Sequence, residues 1–133
     1  MKTYALHCTK VTPISSLTPL SLPCIQPSHQ EANYHPDGAQ VFSSRDFQSF
    51  VLLLAKPGDD VGPHSFTAFY VDPVATGIMG VHIHAGVWHQ PAFPANKTGD
   101  LLLDNRQGKV HGCVACDFVK EFGGYLRVPL SPP

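Results

Sequence analysis

The chain has 133 residues, of which only 14% are charged, with a formal net charge of −1, 13 prolines and 11 glycines. That length suits a single domain with a sizeable core, and the Pro/Gly punctuation excludes a helical bundle in favour of short strands joined by turns. The charge excludes electrostatic binding to nucleic acid or an anionic membrane, and the longest apolar runs, such as residues 50–55, are too short to span a bilayer.

Taken in order, residues 4–8 read as an opening strand that ends before Thr12-Pro13. No apolar leader precedes it, so a soluble, cytoplasmic protein is expected. Residues 13–27 carry four prolines, which no helical stripe survives; with leucines at 17, 20 and 22 they read as an irregular arm laid over the body. Residues 29–35 are polar and lead into Pro36-Asp37-Gly38, a strong turn signal. A short strand is predicted over 39–43, a polar connection at Arg45-Asp46, and a central, almost wholly apolar strand over 47–56. Pro57-Gly58-Asp59-Asp60 turns the chain, and that turn accounts for the two adjacent aspartates better than a catalytic pair does.

A further strand is predicted over 66–71, closed by Asp72-Pro73, and then comes Gly80-Val81-His82-Ile83-His84-Ala85-Gly86-Val87-Trp88-His89-Gln90-Pro91. This stretch holds three of the eight histidines and the only tryptophan. Read as two short strands hinged near Ala85-Gly86, it turns His82 and His84 to one face and lets His89 return to the same space. Converging imidazoles bind a divalent metal or handle protons near neutral pH; the alternative is a half-exposed strand rich in histidine. A polar loop through Lys97, a strand over 100–104, a loop over 105–112, and strands over 113–120 and 125–128 complete the chain. Cys113 and Cys116 form a Cys-x-x-Cys, but only the distant Cys8 and Cys24 could supply a second zinc pair, so both are read as strand residues. Eight or nine short strands indicate an all-β sandwich or barrel: an arm over 1–33 and a core over 34–128.

Two stretches carry a family likeness. Tyr34-His35-Pro36-Asp37-Gly38-Ala39-Gln40-Val41-Phe42, followed by Phe50-Val51-Leu52-Leu53-Leu54-Ala55 and Gly58-Asp59-Asp60, resembles the first conserved region of the ureidoglycolate lyase family. The histidine stretch with Asp100-Leu101-Leu102-Leu103-Asp104 is similar to that family's histidine- and tryptophan-containing region. The resemblance implies a cupin, a jelly-roll β-barrel, that releases urea and glyoxylate from ureidoglycolate in purine breakdown. Gln90 and Gly86 depart from the family pattern, where a histidine and an asparagine are common.

Ureidoglycolate bears a hydroxyl, a carboxylate and a ureido nitrogen on one carbon. Cleavage needs a base for the hydroxyl, an acid for the departing nitrogen and a holder for the carboxylate. His84 and His89 are the expected base and acid, Arg45 the expected carboxylate fork with Lys97 second, and Gln40 a donor to the hydroxyl or urea group. His82 and Trp88 are expected to line the substrate, Trp88 shutting out water. His35 is either a ligand or a cap on the Pro36-Asp37-Gly38 turn. A divalent metal on His35, His84 and His89 is the alternative mechanism, and a metal-dependent cupin of another class or a non-catalytic small-acid binder are the alternative functions. The expected partners are a small carboxylate and a second copy of the chain, as a homodimer.

Overall fold

The computed structural model describes residues 8–10, 31–95, 100–109 and 111–124. Among the described residues ten strands, two short α-helices and a 3-10 turn (Pro63–Ser65) occur, the strands and α-helices in the order β1 (Cys8–Lys10), β2 (Glu31–Tyr34), β3 (Gln40–Ser44), β4 (Phe50–Ala55), β5 (Thr67–Val71), α1 (Pro73–Thr76), β6 (Gly80–Ile83), β7 (Trp88–His89), β8 (Phe93–Pro94), β9 (Leu103–Gln107), β10 (Val114–Asp117) and α2 (Phe118–Phe122). The larger sheet runs β1-β5-β4-β7-β2-β10, with β8 also on β4, and the smaller runs β6-β3-β9; every pairing is antiparallel. Two facing antiparallel sheets, not closed on one another, make an all-β fold of the cupin jelly-roll kind. No helix among the described residues is long and apolar enough to cross a membrane.

β4 is the partition of the molecule. Side chains alternate across a strand, and here both sides are apolar. Val51, Leu53 and Ala55 join Ala32, Phe66, Ala68, Trp88, Cys116 and Phe118 in one core. Phe50 and Leu52 join Phe42, Val71 and Ile83 in a second, between the two sheets. Leu52 and Leu53 are adjacent in sequence, wholly buried, and in different cores. Each such side chain contributes about 1.5–3 kcal/mol on burial.

Several expected boundaries move. Residues 31–34 form a strand in place of a polar lead-in, and the strand expected over 100–104 shifts to Leu103–Gln107, into the expected loop. The strand expected over 113–120 stops at Asp117, whose carboxylate accepts from the Val119 and Lys120 N–H groups and caps α2. Asp72 caps α1 in the same way instead of simply closing a turn. Cys113 and Cys116 are free thiols; Cys116 is buried in the first core, which pushes its pKa up to about 11 and leaves it an inert apolar filler. The arm over 13–27 and the strand over 125–128 lie outside the described residues, and of the opening strand expected over 4–8 only Cys8 is described, as the first residue of β1 on the edge of β5.

The smaller sheet depends on one close approach. A Cβ on Gly80 would stand 2.5 Å from the Phe42 carbonyl oxygen and 2.6 Å from Ser43 Cβ, opposite which Gly80 pairs. Gly80→Ala is therefore expected to force β6 off β3 and destabilise the protein by about 1–3 kcal/mol, as overpacking does. Urea unfolding followed by circular dichroism checks this; an unchanged midpoint would contradict it.

Candidate active site

The interior between the sheets is apolar at one end and polar at the other. At the polar end, β7 sets His89 opposite Leu54 of β4 and Asn33 of β2, so these three side chains share the inner face. Trp88, one residue earlier, faces the other core, where its ring meets Tyr34 edge-on at 4.6 Å and its Nε1 donates to the Gly58 carbonyl at 2.8 Å. The smaller sheet brings Gln40, buried on β3, opposite Gln107 of β9. His35 follows β2, its ring centroid 5.5 Å from that of His89, while Phe42 closes the other side at 6.2 Å.

Hydrogen bonds orient each polar group. His89 is 4% exposed, and its Nδ1 lies 2.9 Å from the Val87 carbonyl. A carbonyl only accepts, so Nδ1 carries the proton and Nε2 keeps a lone pair. Burial pushes the His89 pKa below its usual 6.5, the Val87 carbonyl partly opposes this, and His35 adds to the lowering. His35 donates from Nδ1 to the Gly112 carbonyl at 3.2 Å and accepts at Nε2 from Gln107 Nε2 at 2.7 Å. Asp37 holds the loop carrying Gly112, accepting from the backbone N–H and ring Nδ1 of His111. Gln40 Nε2 donates to Asn105 Oδ1 at 2.8 Å.

The histidine stretch is thus divided between two faces. His82 and His84 do share a face, with ring centroids 4.7 Å apart, but both are exposed, and buried Ile83 between them takes the inward direction. His89 does not return to them; it meets His35, which sequence reasoning left between ligand and turn cap. Gly86, at φ +79°, makes this possible: the turn donates its N–H to the His35 carbonyl at 2.8 Å, tying the two segments together. Arg45 follows β3 at the end away from Gln40, about 16 Å along the strand, where it is exposed beside Asp104 at 3.5 Å. Lys97 lies outside the described residues.

The metal expectation fails on the donor set. Among the described residues no three His, Cys, Asp or Glu side chains group as a metal shell. Of the expected trio, His84 sits with His82, and both His35 nitrogens are engaged by protein. The residues present do not fit a three-histidine centre.

Three residues escaped the sequence reading: Asn33 and Gln107, which share the faces of His89 and Gln40, and Lys56, exposed just past the end of β4. Asn33 and Lys56 left a signal in their neighbours. Ala32 and Tyr34 alternate around Asn33, and Lys56 continues the Leu52-Leu54 face of β4. Lys56 and Leu54 line a cavity of about 700 Å³ with Val87, Thr67, Phe69 and the acidic Asp59 and Asp60. That cavity holds no histidine or carboxamide; it adjoins the polar end through Leu54, the ladder partner of His89, and Val87, whose carbonyl holds the ring.

A family model described as ureidoglycolate lyase matches residues 18–123, well over half of the chain. The ureidoglycolate lyase of Pseudomonas savastanoi pv. phaseolicola is 34% identical over 79 residues, 59% of this chain and 44% of that protein. Those of Pseudomonas fluorescens strain Pf0-1 and Pseudomonas aeruginosa strain LESB58 are also 34% identical over 79 residues, covering 45% and 44% of their length. The match thus spans less than half the length of these curated relatives.

The lowered pKa has a measurable sign. His89 is expected to titrate below 6.5, so its neutral form stabilises the fold above that pH and the contribution is lost as pH falls through the folded-state value. His35→Gln, which removes an imidazole whose protonated form repels a proton on His89, should move the His89 pKa upward. Two-dimensional NMR titration of the His89 ring reads both; a His89 pKa above 6.5 would contradict the geometry.

Proposed function

The chain belongs to the ureidoglycolate lyase family, and we propose that it cleaves ureidoglycolate to glyoxylate and urea with His89 as the acid–base group. One observation carries the choice of residue: His89 is buried, neutral and held by its Nδ1 on the Val87 carbonyl, which leaves Nε2 as a lone-pair base at the polar end of the interior. In this reading Nε2 takes the hydroxyl proton of the substrate, the carbon–oxygen double bond forms and the carbon–nitrogen bond breaks. The same proton passes to the departing ureido nitrogen. One proton moves from oxygen to nitrogen, so a single imidazole suffices and ends as it began.

The other residues take supporting parts. His35, with both nitrogens engaged, positions the site and lowers the basicity of His89. Lys56, which follows β4 and lines a cavity with Leu54, replaces Arg45 as the cation for the substrate carboxylate, because Arg45 stands at the other end of β3 beside Asp104. Trp88 anchors the Pro57-Gly58 turn through its indole N–H and so fixes the strand from behind. The reaction would serve purine and allantoin breakdown in the cytoplasm. The expected homodimer would form on an outer strand of the smaller sheet, β6 or β9.

Purified protein should release urea and glyoxylate together from ureidoglycolate, faster than the spontaneous reaction. His89→Asn should lower kcat by about 10²–10⁴-fold, the span of general acid–base catalysis. Lys56→Ala should raise KM while Arg45→Ala leaves both constants nearly unchanged. Because His89 must be neutral, kcat/KM should fall only on the acid side of pH 6.5. Full activity in His89→Asn would remove the assignment.

A further inference from the structure

Two carboxamide oxygens are buried at the polar end without a hydrogen-bond partner among the described residues: Asn33 Oδ1 and Gln40 Oε1. Their placement is not incidental. Asn33 is the ladder partner of His89, and its neighbours Ala32 and Tyr34 belong to the opposite core, so the amide lies on the histidine's face. Gln40 is only 6% exposed, and its nitrogen is committed to Asn105, which leaves the oxygen as its unmet group. His89 Nε2 adds a third lone pair. Buried acceptors left unmet cost free energy, and a ligand bearing donors relieves it.

These three acceptors dictate the ligand's chemistry. A carboxylate brought among them would meet only lone pairs, and a methyl group would leave them unmet. An N–H-rich group satisfies them. Resting on the lyase reading, we infer that Asn33 and Gln40 are specificity-determining residues that accept hydrogen bonds from the ureido N–H groups of the substrate. They hold its carbamoyl end inward and leave its carboxylate toward Lys56, which shares its cavity with Asp59 and Asp60. Gln40 thereby acts through its oxygen, not as the donor that sequence reasoning expected, and Asn33 joins the site.

The test compares two uncleavable probes that differ in one group. N-carbamoylglycine carries the ureido NH₂ and the carboxylate but no hydroxyl; N-acetylglycine replaces that NH₂ with a methyl. Titrated into the full chain by NMR, N-carbamoylglycine should bind at least about 10-fold more tightly, the discrimination expected of a site built to hydrogen-bond a missing group. Asn33→Leu and Gln40→Met should each shrink the preference. Equal binding of the two probes, with turnover of ureidoglycolate intact, would overturn the inference and spare the lyase reading. A preference unchanged in both variants would also overturn it. Absence of binding by either probe, together with absence of turnover, would overturn both. Should the leucine variant fail to fold, the wild-type comparison and Gln40→Met still decide.

Discussion

The alternation of side chains across the larger sheet is the constraint on which the rest depends. β4 is apolar on both faces because both faces are covered, and every strand hydrogen-bonded to it inherits the division. β7 shows the consequence most sharply. Its two residues, Trp88 and His89, stand back to back, one in each core. A one-residue slip of β7 against β4 would exchange them, putting a polar imidazole among Phe66, Ala68 and Phe118 and an indole in the site. The Trp88 bond to Gly58 ties β7 to the turn after β4 and so holds the register, while the local bond from His89 to the Val87 carbonyl sets only the ring's orientation.

Inside such a sandwich, polar groups persist only where something satisfies them. His35 is saturated by Gly112 and Gln107, and saturation makes it a fixed wall. His89 is half satisfied, and the unsatisfied half is its chemistry. The same distinction separates the amide ends of Gln40: the nitrogen is structural, the oxygen is available. A site of this kind is recognised less by which residues it contains than by which of their atoms the protein leaves unmet.

This explains how the sequence could be read. The central strand, the Pro57-Gly58-Asp59-Asp60 turn and the all-β class were legible because apolar runs and turn residues are local signals. β2 and the second half of β9 read as polar connections for a physical reason: Asn33 on one and Asn105 and Gln107 on the other face the site, and on β9 only Leu103 carries the apolar inner face. The strands that escaped are those that line the chemistry. The histidine stretch failed differently. Period two says that His82 and His84 share a face but not which one, and only the buried Ile83 between them settles that it is the outer face. Arg45 stands at the end of β3 away from Gln40, a matter of strand length that no residue type announces.

The placement of Trp88 has an optical meaning. It is the only tryptophan, 3% exposed, with its indole N–H bound to a carbonyl of the β4–β5 turn and its ring against Tyr34. Fluorescence excited at the red edge of protein absorption therefore arises from one fluorophore with one environment. Because that fluorophore sits behind the strand that carries His89 and not in front of it, its emission follows the integrity of the first core and of the Pro57-Gly58 turn, which also lines the cavity beside Lys56. The molecule carries its own spectroscopic label, positioned one residue from the proposed base and screened from it by a backbone.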